Sequence, residues 1–282
     1  MSRPLIIKPA STVTLEQFAS AYNAAFAGYF YPISADGEML ARRLRIEQVD
    51  LHHSFLAYDG DELLGTAMLA IRGEVGRLES LGLTPQYRGR GRSRELMDVV
   101  IEQARRCGLK RLVLEVLVHN TAALRLYQGA GLSIVRDLLL LERAAQVTNA
   151  HDTLTLTVAP TLTTVAAADL LCHFVRLHLE RPQWTRDLPA LLVMQNLNGL
   201  CLGDASQPEA YALFEQRPDG QVNIKDMAAC DVGKAAELCS HLSNFAGPLS
   251  MFNEPESSIF IAPLQARGFL EIGRQHEMAC EL

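Results

Sequence analysis

The sequence predicts an α/β chain: a mixed central sheet flanked by helices, present twice in tandem. Three observations lead to this expectation. Apolar stretches of strand length alternate with helical periodicity through residues 5–142. An arginine and glycine loop, Tyr87-Arg88-Gly89-Arg90-Gly91, runs from one strand straight into one helix. After a polar stretch at 143–152 the order of strands and helices restarts, and 282 residues suit about two domains.

The first half reads as a short strand at 5–8, a helix at 15–26 and a second helix at 38–46. Two strands follow, 54–59 and 62–71, joined by the Asp59-Gly60-Asp61 turn. A longer strand ends at Leu83, where Pro85 removes a ladder donor. In the next helix Leu96, Val99, Val100 and Ala104 recur at helical spacing, and Gly108 makes a stop. Residues 112–118 read as a buried strand. Asn120 then caps a helix reaching 130, and strands at 132–135 and 138–142 complete the module. In the second half, TLTLTVAP (153–160) alternates like a strand and 165–179 reads as a helix. Strands at 211–216 and 221–229 flank the Pro218-Asp219-Gly220 turn, and a helix spans 231–242. A closing helix, Gly268-Phe269 and a last strand follow. The domains expected are 1–145 and 153–282.

Composition narrows the function. With 49% hydrophobic and 21% charged residues the chain can bury ordinary cores. No apolar run approaches the roughly 18–20 residues of a membrane span, and MSRPLIIKPA lacks a signal-peptide apolar region, so a cytoplasmic location is expected. The six cysteines form no C-x-x-C pair. Neither Cys172-His173 nor His52-His53 has further ligands at metal spacing, so no metal is expected. Residues 1–142 carry 17 Lys/Arg against 16 Asp/Glu, while 143–282 carry 9 against 16. A pI of about 5.8 argues against nucleic acid, whose binders spread basic residues along a face.

Two segments carry chemistry. In RLESLGLTPQYRGRGRSR a strand delivers the chain to a loop whose glycines let backbone N–H groups converge. The helix behind it adds the positive end of its dipole, an arrangement suited to phosphate or pyrophosphate. In the second segment Asn120, Ala123, Tyr127 and Gly131 follow a buried strand at helical offsets. Alone, the loop also fits a solvated basic turn, and Tyr127 also fits a core aromatic.

Together the two segments resemble the GNAT superfamily of N-acetyltransferases. Its pyrophosphate loop, Arg/Gln-x-x-Gly-x-Gly/Ala, is matched by Arg88, Gly91 and, as a small-residue departure, Ser93. Its later signature is matched by Asn120, Ala123, Tyr127, Gly131 and Leu132. The resemblance implies acetyl-CoA as acyl donor and a primary amine of a small molecule or peptide as acceptor. It implies that backbone groups of Leu81, Gly82 and Leu83 pair with the pantetheine arm. Arg88, Gly89, Arg90, Gly91, Arg92 and Ser93 would hold the pyrophosphate, with Asn120 beside the donor. Tyr127 would be the general acid, and Glu79 the candidate proton acceptor, with Glu74 almost as plausible. Phe26, Tyr29, Phe30 and Tyr31 stand where such proteins often build acceptor pockets.

The second copy is expected to bind coenzyme A poorly. Its strand runs directly into DVGKAAELC without an arginine and glycine loop. Seven residues after Asn253 stands Phe260, and four before Gly268 stands Leu264, neither a tyrosine. Covering the first module's acceptor cleft, or homodimer formation, are the roles left to it. The competing functions are a CoA-binding sensor or scaffold without turnover and, disfavoured by charge, a nucleic-acid module.

Overall fold

The computed structural model describes residues 4–145, 162–242 and 245–282. The chain groups into two compact units. One is Met1–Val135 with His276–Leu282, the other Arg136–Gln275.

The first unit contains β1 (Ile6–Pro9), α1 (Leu15–Ala25), α2 (Gly37–Glu47), β2 (Phe55–Asp59), β3 (Glu62–Arg72) and β4 (Val75–Leu83). After these come α3 (Arg92–Arg106), β5 (Arg111–Leu117), α4 (Thr121–Gly129) and the start of β6 (Ser133–Arg143). Local chemistry sets the helix ends. Thr14 and Gln17 form a reciprocal capping box on α1, and the Asp36 carboxylate caps α2. β1 to β4 form an antiparallel meander, and β5 joins β4 in parallel. Phe18, Tyr22, Leu40 and Leu44 of α1 and α2 pack with Leu56 and Met68. Leu96, Met97, Val100 and Ala104 of α3 pack with Leu78, Leu112 and Leu114. The sheet therefore has helices on both faces.

The second unit contains most of β6, then β7 (Leu162–Ala166), the short helices α5 (Ala167–Leu171), α6 (Phe174–Leu177) and α7 (Leu188–Leu191), and β8 (Asn198–Leu202). It continues through β9 (Ala210–Gln216), β10 (Val222–Ala229), α8 (Val232–His241), β11 (Leu249–Pro255), α9 (Ile261–Gln265) and the start of β12 (Leu270–Glu281). Its strand order is β12-β6-β11-β10-β9-β8-β7, with β10 and β11 parallel. Each unit thus repeats one scheme, an antiparallel meander ending in a parallel pair.

Several expectations change. The strands at 132–135 and 138–142 are one strand, because Arg136 and Asp137 stay extended and Leu138 pairs with Pro255 of β11. The helix expected at 165–179 is divided, since Val165 belongs to the β7–β8 ladder and the helical turns break between Leu171 and Phe174. The strand expected at 153–160, and all but the first residues of the expected linker, lie outside the described residues. Compared with the expected domains 1–145 and 153–282, residues 136–143 group with the second unit and 276–282 with the first. The pairing of β6 with β11 accounts for the former. For the latter, Met278 enters the first unit's core and the Leu282 N–H donates to the Lys110 carbonyl at 2.9 Å.

Two features of β4 prepare a site. A bulge against β3 falls at Glu79, between Leu78 and Ser80, and reverses the alternation of side chains. The β4–β5 ladder covers only Val75 to Arg77, although both strands continue. Leu81, Gly82 and Leu83 therefore pair with β3 on one edge and, among the described residues, with no strand on the other.

Candidate active site

Beyond Leu83 the chain makes one turn of 3-10 helix at Pro85–Tyr87 and enters the loop. Gly89 and Gly91 have φ of +71° and +77°, the left-handed region that glycine reaches without strain. A Cβ at Gly91 would meet nothing within 4 Å, so conformation rather than space requires glycine there. Gly91 is also the N-cap of α3 and supplies no side-chain cap. Among the described residues the N–H groups of Gly89, Arg90, Gly91 and Ser93 donate no backbone hydrogen bond. A fifteen-residue helix thus presents an open positive end, as an anion site requires.

The four arginines do not all face that opening. Arg88 folds back, donating from Nε to the Leu83 carbonyl at 2.9 Å and from Nη2 to the Ala25 carbonyl at 3.0 Å. Arg94 pairs with Asp98 and donates to the Gly129 carbonyl at 2.6 Å, tying α3 to the end of α4. Arg92 is 5% exposed and pairs with Glu95 at 3.3 Å. Arg90 is exposed and makes no ion pair or side-chain hydrogen bond among the described residues. Two of the arginines therefore shape the loop by engaging carbonyls.

The α1–α2 face approaches the end of β4 through Phe26, whose ring occupies the space above Gly82; a Cβ at Gly82 would lie 2.6 Å from it. From there aromatic rings run in sequence. Tyr22, Phe26, Tyr29, Phe30 and His119 have successive centroids 4.6, 5.5, 5.2 and 4.7 Å apart. Phe30 and Tyr31 are exposed. Asn120 caps α4, accepting from the Ala123 N–H at 3.2 Å, and lies beside Tyr29. Tyr127 is buried in the α3–α4 core, near enough to Tyr29 to interact electrostatically. Burial raises its pKa well above the ordinary tyrosine range, so it stays a neutral phenol. Its hydroxyl makes no hydrogen bond among the described residues.

Glu79 is not a solvated strand residue. Its side chain is fully buried and ion-pairs with Arg43 of α2. Arg43 also contacts Glu47 at 3.3 Å and the Tyr22 hydroxyl at 2.7 Å. Arg77 then links Glu47, at 2.5 Å, to Glu115 of β5, at 2.8 Å. Burial pushes the Glu79 carboxyl up and the Arg43 charge opposes that shift. Glu74 lies at the opposite end of β4, exposed and paired with Lys110 at 2.6 Å, remote from the loop. Sequence reasoning missed Arg43, Glu47, Arg77 and Glu115. The available signal was charge inside RLESLGL and RLVLEVL, segments otherwise patterned for burial.

The second unit repeats the frame with different chemistry. The β10–β11 ladder covers only Val222 to Ile224, and β10 is bulged between Ile224 and Asp226. At the N-terminus of α8, however, Asp231 accepts from the Lys234 N–H at 2.8 Å, so a carboxylate of the chain already occupies that end. The N–H of Phe269 bonds to the Leu264 carbonyl just as the N–H of Leu132 bonds to that of Tyr127, which makes Leu264 the counterpart of Tyr127. Arg186 spans the divergent strands, reaching the Lys225 carbonyl at 3.1 Å and ion-pairing with Glu254. A cavity of about 240 Å³ beside it is lined by His178, Arg186, Asp226, Glu254 and Phe260. Its charges are used internally, with Asp226 accepting from Tyr211 at 2.9 Å and contacting His178 at 3.1 Å. Among the described residues, no group of three or more His, Cys, Asp or Glu is arranged to hold a metal, and no helix is long and apolar enough to cross a membrane.

A divergent parallel pair, a glycine loop and an uncapped helix end thus lie together in the first unit. Residues 16–132, within the first unit, match the family model described as Acetyltransferase (GNAT) family. The chain is 37% identical over 106 residues to a mycothiol acetyltransferase of Geodermatophilus obscurus, a match spanning 34% of each chain. Two solved structures share the fold over nearly the whole length, each at 14% identity. A GCN5-related N-acetyltransferase from Sphaerobacter thermophilus has a TM-score of 0.67, covering 98% of this chain and 95% of that one. A tandem GNAT protein from the clavulanic acid biosynthesis pathway has a TM-score of 0.65, covering 99% and 98%. The tandem architecture expected from sequence is therefore present.

Proposed function

We propose that the first unit transfers an acetyl group from acetyl-CoA to a primary amine of a small molecule or peptide, by direct attack. The observation that carries this reading is the uncapped N-terminus of α3 beside the unpaired edge of β4. Acetyl-CoA would supply an activated thioester and a thiolate leaving group. The amides of Gly89, Arg90, Gly91 and Ser93, with the α3 dipole and Arg90, would hold its pyrophosphate. Arg88 and Arg94 fix the loop. Leu81, Gly82 and Leu83 offer backbone groups to the pantetheine arm and an N–H to polarise the acyl oxygen. Asn120 keeps the start of α4 in place beside them.

The acceptor would enter over the Phe26, Tyr29, Phe30 and Tyr31 wall. An ammonium N–H gives its proton to Glu79, and the freed nitrogen lone pair bonds to the acyl carbon. The carbon–sulfur bond breaks, the sulfur takes the Tyr127 hydroxyl proton, and solvent restores it. The extra proton on the product nitrogen leaves to water. A sensor or scaffold without turnover remains the alternative.

The test is a screen of amine classes with acetyl-CoA, reading free thiol. Amine-dependent release supports transfer. Tight acetyl-CoA binding without release by any amine supports the sensor.

A further inference from the structure

Glu79 is an unusual group to find in this position. Both of its carboxylate oxygens are buried without a well-directed hydrogen bond, and the Arg43 guanidinium is the cation in direct contact with it. Ser80, next on the strand, favours the ionised form but makes no well-formed hydrogen bond to it. Buried polar atoms are nearly always paired, and a buried carboxylate with a vacant oxygen is costly unless a ligand completes it. Glu79 is the bulge residue of β4, and its partner Arg43 comes from the α1–α2 layer that supplies the aromatic wall. Its side chain therefore faces the α1–α2 layer.

We propose that Arg43 is a positioning residue for the transfer reaction: its ion pair holds the Glu79 carboxyl in place and favours the carboxylate form that takes the acceptor's proton. This rests on the acetyltransferase reading above. Arg43 is well placed for the task because it is itself held from two elements. The Tyr22 hydroxyl on α1 lies 2.7 Å from Nη1, and Glu47, one turn along α2, lies 3.3 Å from Nε. Glu47 is held by Arg77 of β4, which also grips Glu115 of β5. The groups facing Glu79 are therefore Tyr22 from α1, Arg43 and Glu47 from α2, and Arg77 from its own strand, with Glu115 behind Arg77. Glu47 opposes the ionisation of Glu79, while Arg43 and Arg77 favour it. Arg43, in direct contact and partly exposed, is the cation that can be removed without emptying the core.

The sign follows directly. A nearby cation stabilises the carboxylate, so losing Arg43 raises the pKa of Glu79 and the pH below which the base is protonated. In Arg43→Gln, which keeps a donor for Tyr22, the acid limb of kcat/KM against pH should move up by about one unit or more. Activity then falls about tenfold at the foot of that limb and little on the high-pH plateau. Arg43→Lys should bring the limb most of the way back. The same shift should appear without turnover, in the carbon-13 carboxyl resonance of Glu79 in the labelled full-length protein, assigned by Glu79→Gln. Acetyl-CoA binding by each variant reports an intact fold. A uniform loss at all pH, or a Glu79 resonance titrating at the same pH with and without Arg43, would overturn the proposal. If no amine is acetylated but the resonance shifts as expected, the electrostatic role of Arg43 stands and the transfer reading fails.

Discussion

Tyr127 shows how burial and chemistry divide at one residue. Its ring belongs to the α3–α4 core, while its hydroxyl lacks a partner among the described residues. Burial keeps the phenol neutral to high pH, which a proton donor needs. Tyr127→Phe removes one oxygen and almost no packing. It should lower turnover by about 10²–10⁴-fold, the usual range for a general acid, and leave acetyl-CoA affinity nearly unchanged. Its melting temperature should move little. Steady-state kinetics with a titration of acetyl-CoA checks this, and unchanged turnover with chemistry rate-limiting would return Tyr127 to a purely structural role. The Asn120 cap and the helical placement of Tyr127 were legible in the sequence because an N-cap and helical spacing are local signals. Arg43 and Glu79 were not recognised as a pair, because ion pairs between a helix and a distant strand leave no periodic trace.

The two helix N-termini, of α3 and α8, explain the contrast between the units at the scale of the element. The α3 end is capped by a left-handed glycine and stays open, whereas the α8 end is occupied by the Asp231 carboxylate. An anion at α8 would meet a like charge and find an orphan N–H already engaged. Transplanting the difference is a direct trial. Gly91→Asp places a carboxylate at the α3 N-cap, at a backbone conformation that aspartate tolerates better than most residues. Acetyl-CoA affinity should fall about tenfold or more, roughly 1.4 kcal/mol, by calorimetry. Stability should fall by about 1 kcal/mol, since a residue with a Cβ is strained at this left-handed position. The strand–loop–helix was legible because its glycines and arginines are contiguous. The division of the helix expected at 165–179 was not, because strand pairing of Val165 with Gly199 overrides local propensity.

At the scale of the molecule, the grouping of the chain matters more than the position of its linker. The first unit counts His276–Leu282 among its residues, with Met278 fully buried in its core and Arg111 paired to Glu281 at 3.0 Å. Residues 138–143 form a ladder with β11 instead. A fragment cut at 145 therefore loses a core strand and carries a segment whose ladder partner is gone, a combination that favours aggregation. Fragment 1–145 should be insoluble or markedly destabilised. A graft of 276–282 after 135 through a flexible linker should recover solubility and acetyl-CoA binding. A soluble, fully active 1–145 fragment would show that residues 276–282 are dispensable to the first unit. This grouping was beyond the reach of sequence patterning, which reads neighbours along the chain and not which strands pair.

The central claim is that acetyl-CoA binds once per chain, at the segment from Leu81 to Arg94. Calorimetric titration of the full-length protein with acetyl-CoA, beside Gly91→Asp, tests it most directly. The account predicts a stoichiometry of one and loss of that site's affinity in the variant. Two equivalent sites, no binding, or a single site indifferent to Gly91→Asp would contradict it.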